Sequence, residues 1–445
     1  MYETTSHRLT LRETLQIKGR NDRAAAKQAT CAKRFSRIAT SVLALLIGQH
    51  AALAADGAAP GTPTPTLAIR PMTTVTSSGS GYFEDPYPVH LAGPHANQVQ
   101  VFSGTTKAIM RCAYPISARC FSWTPDTVDV SGLHTQIAAA GATVTNIQNI
   151  DLFQDDAGGW HGVVAIGVHS PSHPDHWTVL VHAHPTKLAG DGGIPLAWAA
   201  DTVLSGSFSN PVDGNYDGKY FEDDGKLYLL YVKNFVPRPA LRNGIVIQRM
   251  LSPTQVAPEA PVTLLMPGDR FGPLNSEWYG QTQAKLVEAP YIIKLAGKYA
   301  LIYSTGAYQQ VGYKAGVAWS DTLFPANGKR YRKVLAADPN GIWGKPGALE
   351  VRYLVQSQQT SWPNYTGTQV ISPGVASAAQ GPGGAWWLYF AGFDPSDRPL
   401  VAPGVAEADH RRPYFAPLRA EVPADRSVAQ ASDAELATWL QPASQ

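Results

Sequence analysis

Val287-Glu288-Ala289-Pro290-Tyr291-Ile292-Ile293-Lys294-Leu295-Ala296-Gly297-Lys298-Tyr299-Ala300-Leu301-Ile302-Tyr303-Ser304 reads as a strand, a tight glycine turn and a returning strand. One carboxylate, Glu288, stands at the mouth of this hairpin, two residues ahead of Pro290. Taken alone it would be a charge on the rim. The same grammar recurs along the chain, however, and two of the recurrences carry an aspartate close to their entry.

Val311 to Asp321 extends the hairpin as a third strand. Upstream, Tyr216-Asp217-Gly218-Lys219-Tyr220-Phe221-Glu222 enters a turn at Asp223-Asp224-Gly225-Lys226 and returns through Leu227-Tyr228-Leu229-Leu230-Tyr231-Val232. Asp-Gly between apolar runs signals a hairpin, because glycine takes the positive φ that the turn needs. Asp223 and Asp224 thus have a structural task, whereas Asp217 has none of its own. Further hairpins are expected at 150–168, turning at Asp155 to Trp160, and at 371–392, turning at Gly381 to Gly384. Arg412 to Leu418 is a last strand, and Gly132 to Ala140 a short helical patch. Near the start, Asp85 precedes Pro86 in an extended stretch, where proline is expected to press it into the β or polyproline region.

The turn glycines Gly159, Gly225, Gly297 and Gly384 are spaced by 66, 72 and 87 residues. With a first unit near Asp85 the chain divides into five small sheets, so the expected fold is all-β, a five-bladed β-propeller. Composition agrees, since 16% charged residues with 40 glycines and 35 prolines suit many short strands joined by turns. A net charge of +2 gives no electrostatic case for nucleic acid or an anionic membrane as a partner.

Residues 1–54 read as a signal peptide with an extended basic region. Lys27, Lys33, Arg34 and Arg37 precede the apolar run Ile38 to Gly48, and Ala52-Leu53-Ala54 supplies a small-x-small cleavage site. A secreted or periplasmic location follows, with no membrane span after cleavage. Residues 55–78 are a linker rich in Pro, Ala and Thr, 79–420 the propeller, and 421–445 a polar tail. In that tail Ser432-Asp433-Ala434-Glu435 has the spacing of a capping box, and a short helix would end near Leu440. Cys31 leaves with the signal, so Cys112 and Cys120 remain as a pair eight positions apart. A disulfide is the expected state in an oxidising compartment, two unpaired thiols the alternative.

Three carboxylates, Asp85, Asp217 and Glu288, thus open three different units, where inner strands of a propeller converge. Glycoside cleavage needs one carboxyl to protonate the leaving oxygen and another to activate water or attack, and a third can raise the acid's pKa by repulsion. Here the sequence resembles the five-bladed β-propeller glycoside hydrolases of family 43, which include arabinofuranosidases, β-xylosidases and arabinanases. Asp85-Pro86-Tyr87-Pro88-Val89 resembles the segment carrying the general base. Tyr216 to Tyr228 resembles the segment with the pKa-modulating aspartate, and Glu288-Ala289-Pro290-Tyr291, followed by Gly297-Lys298-Tyr299 and Ala318-Trp319-Ser320-Asp321, the segment with the general acid.

The resemblance implies an inverting hydrolase of arabinose- or xylose-containing glycans, with Asp85 as base, Asp217 as modulator, Glu288 as acid and a carbohydrate as its partner. No cofactor is expected. Three departures stand out: Ala289 where the family has glycine, Gly218 where proline follows the modulator (with Asp213 close by), and Val375 where many members place a calcium-holding histidine. No metal is expected for that reason. Two alternatives remain, a carbohydrate-binding propeller without turnover and a retaining fructan-type hydrolase.

Other residues are set aside. His161, His169, His173, His176, His182 and His184 fit no metal spacing and are expected on exposed loops, although His182 and His184 would share a strand face. Ala337-Asp338-Pro339-Asn340-Gly341 is expected to be a turn. Trp278, Trp362, Trp386 and Trp387 are expected in the core.

Overall fold

The computed structural model describes residues 69–72, 74–76, 85–91, 99–104, 109–112, 120–123, 128–188, 193–210, 214–236, 242–270, 277, 286–308, 312–338, 348–357, 367–368, 370–381, 383–394 and 411–443. All of them belong to one compact unit, Pro65–Gln445. The expected signal peptide, Trp278, Trp362, Asp213 and Pro339 to Gly341 lie outside the described residues.

Strands follow one another in order and build successive antiparallel sheets. Sheet A runs Pro86–His90, Val99–Gly104, Ile109–Cys112 and Cys120–Trp123. Sheet B runs Thr143–Gln154, Trp160–Ser170, His173–Leu188 and Pro195–Ser205. Sheet C has Asn215–Asp223, Lys226–Val236 and Arg242–Ser252, with Val262–Leu265 and Gln255–Val256 both paired to its third strand. Sheet D has Glu288–Leu295, Lys298–Thr305 and Lys314–Ser320, extended by Tyr353–Ser357. Sheet E has Ile371–Gln380, Trp386–Phe393 and Arg412–Ala420. A two-stranded ribbon joins Leu335–Asp338 to Ala348–Val351, so Asp338 is in a strand and not in the expected turn.

The period-2 alternation of each strand explains how the sheets stack. In Lys226–Val236, Leu229 and Tyr231 pack towards sheet B with Val163, Ala165 and Leu180. Their neighbours Tyr228, Leu230 and Val232 pack towards sheet D with Ile292, Leu301 and Tyr303. Sheet D repeats the pattern, since Ile293, Ala300 and Ile302 face sheet E. Sheets A and B share a core around Tyr87, Phe102, Trp160 and Trp198. Ser377 of sheet E donates to the Pro86 carbonyl of sheet A at 2.6 Å. Sheets covered on both faces by other sheets are the blades of a β-propeller, the expected architecture. Sheets B to E are four blades described through nearly all their side chains, while sheet A is described mainly through its backbone.

The hairpin at Glu288 closes through Ala296 (φ 46°) and Gly297 (φ 77°), and the one at Asp217 through Asp224 (φ 49°) and Gly225 (φ 68°). Lys294 reaches both Asp223 and Asp224, at 2.7 and 2.9 Å, and Tyr299 donates to Asp223 at 2.7 Å. Those aspartates hold a turn, as expected.

The ends of the chain differ from expectation. Arg70–Pro71, inside the expected linker, pairs with Arg412–Ala420, and Thr74–Thr76 runs parallel to Cys120–Trp123. Short edge strands need only backbone groups, which a Pro/Thr-rich stretch still supplies. The expected helix is Asp433–Trp439, with the Ser432–Glu435 capping box present. The segment around it is not a polar tail, because Val428, Ala431, Leu436, Ala437, Trp439 and Leu440 are buried against sheets D and E. Leu440–Pro442 then pairs with Arg412–Ala420. Polar residues at every second or third position hid this amphipathic pattern. Trp386 packs on the same core, and Trp387 lies 5.6 Å from the Phe415 ring.

Candidate active site

The first strands of sheets A, C, D and E each carry a kink at or near their entry. Asp85 (φ 55°), Asp217 (φ 51°), Ala289 (φ 48°), Ser372 (φ 52°) and Val375 (φ 52°) all hold left-handed backbone that side chains rarely adopt. Asp85 is therefore not in the β or polyproline region expected ahead of Pro86. Asp217 falls in a register break between Tyr216 and Lys219, and Ala289 in one between Glu288 and Tyr291. Such bulges re-aim side chains, here towards a shared cavity.

That cavity, about 410 Å³ with its open mouth, is lined by Asp85, Asp217, Ala289 and Val375 and, from sheet B, by Asn149 and Asp151. Asp85 is 7% exposed and accepts a hydrogen bond from the Asn149 amide. Asp217 accepts from the Ala289 N–H at 2.8 Å, which ties the second carboxylate to the residue following the third. Glu288 is not on the lining itself; its carboxyl accepts from the Tyr313 hydroxyl at 2.6 Å. The guanidinium of Arg411, 2% exposed, sits 5.2 Å from the Tyr313 ring centre and donates to the Ala391 carbonyl at 2.8 Å. Lys219 is ion-paired with Asp151 and lies 5.1 Å from the Tyr87 ring centre.

These groups act on one another's charge. Burial, then the Asp217 carboxylate, pushes Glu288 up to about 8, against Tyr313 and Arg411. Burial also pushes Asp85 up to about 7, opposed by Arg411 and raised further by Asp217. Asp217 is raised by burial, and the Ala289 N–H pulls the other way. The three carboxyls that the sequence marked are thus electrostatically one cluster. Glu288 and Asp85 are thus both brought towards neutral pH, the range in which a carboxyl can hold a proton for an acid's task or release one for a base's.

Sequence reasoning missed Asn149, Asp151, Lys219, Tyr313 and Arg411. The one local signal was polarity inside the inner strand of sheet B, where Asp151 sits between buried Ile150 and Leu152.

The departures acquire physical meaning. A Cβ on Gly218 would stand 2.5 Å from Val163 Cγ1 and about 3 Å from both Leu180 methyls, so a larger residue here would require Val163 and Leu180 to shift. Val375 places an apolar side chain on the cavity wall, and its N–H donates to Ser304 at 2.7 Å. A calcium at that point would lack the histidine ligand, and among the described residues no group of three His, Cys, Asp or Glu side chains could hold a metal ion.

The histidines correct their expectation. His161 is on Trp160–Ser170, and His182 and His184 on His173–Leu188, so none of the three is on a loop. Nδ1 of His182 and of His184 each contact the Asp201 carboxylate at 2.7 Å, confirming the shared face. His161 bridges His182 at 3.0 Å and Asp155 at 3.2 Å. The side chains of His173 and His176 lie outside the described ones.

The pattern of the glycosyl hydrolases family 43 matches residues 173–404, just over half of the chain. No curated protein matches. Among solved structures, an α-L-arabinofuranosidase from Lactobacillus brevis superposes with a TM-score of 0.51 at 16% identity, over 76% of this chain and 91% of that one. A thermostable family-43 glycoside hydrolase gives a TM-score of 0.49 at 16% identity, over 77% of this chain and 90% of that one.

Proposed function

The chain belongs to glycosyl hydrolase family 43, and we propose that it is an exported, inverting glycosidase of arabinose- or xylose-containing glycans. It is a glycoside hydrolase on a β-propeller scaffold. The proposal adds the substrate class, the stereochemistry, the roles of three residues and the location. It also counts sheet A, which shares a core with sheet B and a hydrogen bond with sheet E, as the fifth blade.

One observation carries the mechanistic part: Asp85, Asp217 and Glu288 form a single electrostatic cluster, the first two on the cavity wall and Glu288 beside it, pushed up to about 8. Asp85 takes a proton from water, whose oxygen attacks the anomeric carbon from the face opposite the leaving group. Glu288 gives its proton to the leaving oxygen as that C–O bond breaks, and the configuration inverts. Burial, reinforced by the negative charge of Asp217 that the Ala289 N–H anchors, keeps Glu288 protonated until it is needed.

Export is supported by the basic stretch, the apolar run Ile38 to Gly48 and Ala52-Leu53-Ala54. A disulfide between Cys112 and Cys120 fits the backbone, which sets the two directly opposite each other on neighbouring strands. Among the described residues no helix is long and apolar enough to cross a membrane.

The test is hydrolysis of arabinosides and xylosides followed by proton NMR of the first-formed anomer. Release of the inverted anomer, and its loss in Asp85→Asn, supports the reading. Release of the retained anomer sinks the inverting assignment, and sugar binding without hydrolysis favours a carbohydrate-binding role.

A further inference from the structure

Lys219 and Asp151 form a charged pair that the roles given so far leave unused. They come from different blades, the first strands of sheets C and B, and both line the cavity that Asp85 and Asp217 share. A salt bridge with each side chain only 12–13% exposed is seldom a net source of stability, because desolvating two charges offsets their attraction. Its surroundings are unusually specific. Lys219 lies against the Tyr87 ring, whose hydroxyl donates to the Ile150 carbonyl at 3.2 Å and accepts from the Leu152 N–H at 3.1 Å. Those two residues flank Asp151, and Asn149, one position earlier, holds Asp85. The ammonium, the Asp151 carboxylate and the Asp85 carboxylate are therefore fixed relative to each other by one short run of strand.

We infer that Lys219, clamped by Asp151 and Tyr87, is a positioning residue whose charge favours the ionised form of Asp85 and so sets the acid side of the enzyme's working pH range. This rests on the reading of Asp85 as the general base. The charged or titratable groups acting on Asp85 are Arg411 from sheet E, Asp217 and Lys219 from sheet C, and Asp151 from sheet B. Glu288 of sheet D and Tyr87 on Asp85's own strand feel it in turn. Two of the four are cations that lower it, and two are carboxylates that raise it. Arg411 is the stronger of the two cations but is not on the cavity wall and also acts on Glu288, whereas Lys219 shares that wall with Asp85 and with Asp217, on which it acts as well.

The two halves of the pair therefore have opposite effects, which a structural salt bridge would not. The test is the pH dependence of kcat/KM on an aryl arabinoside or xyloside for the wild type, Lys219→Met, Asp151→Asn and the double variant. Lys219→Met should move the acid limb up by about one pH unit, with roughly tenfold less activity on the acid side and a narrower, lower maximum. Asp151→Asn should move the limb down, the double variant should return towards the wild type, and Lys219→Arg should keep the wild-type limb. Unchanged limbs, or both single variants moving it the same way, overturn the inference. Titration of the Asp85 carboxyl by 13C NMR, assigned through Asp85→Asn, gives the same reading without substrate and decides the matter where a variant is inactive. Full hydrolysis by Asp85→Asn would instead defeat the assignment of the base, a separate failure.

Discussion

Ala289 adopts φ 48°, a conformation in which its Cβ crowds the following carbonyl. It follows the proposed acid and donates its N–H to Asp217, so the kink is part of what couples the two carboxylates. Ala289→Gly should stabilise the fold by about 1 kcal/mol, read from denaturant midpoints, because glycine takes this backbone freely. At the same scale, the proposed roles fix a pH profile. Asp85 must be ionised and Glu288 protonated, so activity should fall on the acid side as Asp85 gains a proton near its value of about 7. It should fall on the alkaline side as Glu288 loses its proton near about 8. A narrow bell in kcat/KM between those limits is the expected outcome. Asp85, Asp217 and Glu288 were legible because each opens a hairpin unit with no structural task of its own. Arg411, Tyr313 and Asn149 were not, since what brings them to the site is the closing of one blade against another.

Hairpin elements were the most legible features, because Asp224-Gly225 and Ala296-Gly297 announce their turns locally. The bulges at Asp217 and Ala289 carry no such mark, and they decide where the carboxylates point. Sheet B shows the same limit, where strand pairing turned expected loop histidines into a network between His161, His182, His184 and Asp201. Burial pushes His182 down, and this outweighs the Asp201 carboxylate that pulls it up. In the unfolded chain His182 takes up a proton near its ordinary 6.5, while the folded protein refuses it until lower pH. Stability should therefore be lost as pH falls below about 6.5. Urea unfolding between pH 7 and pH 5 checks this: His182→Gln should flatten that part of the wild-type decline, and an unchanged slope would contradict it.

For the molecule as a whole, propeller architecture was legible from repeating turn glycines, because a sheet that cannot bury both faces alone must stack on its neighbours. The chain ends were misread for the converse reason. Arg70–Pro71 and Leu440–Pro442 add single edge strands to sheet E, too short to leave a periodic signal. Helix Asp433–Trp439 seals the core between sheets D and E, with Leu436 fully buried and Trp439 edge-on to Trp319 at 5.4 Å. Leu436→Ala should cost about 2–5 kcal/mol of global stability, measured by denaturant unfolding, although the helix lies at the end of the sequence. A dispensable tail would lose almost nothing.

Glu288 as the proton donor is the role on which the other two depend. Its measurement is the kcat of Glu288→Gln on unactivated arabino- or xylo-oligosaccharides, beside aryl glycosides whose phenolate leaves without a proton. Loss by about 10²–10⁴-fold on the oligosaccharides, with a much smaller loss on the aryl glycosides, is the predicted result. Equal activity of variant and wild type on the oligosaccharides would contradict it.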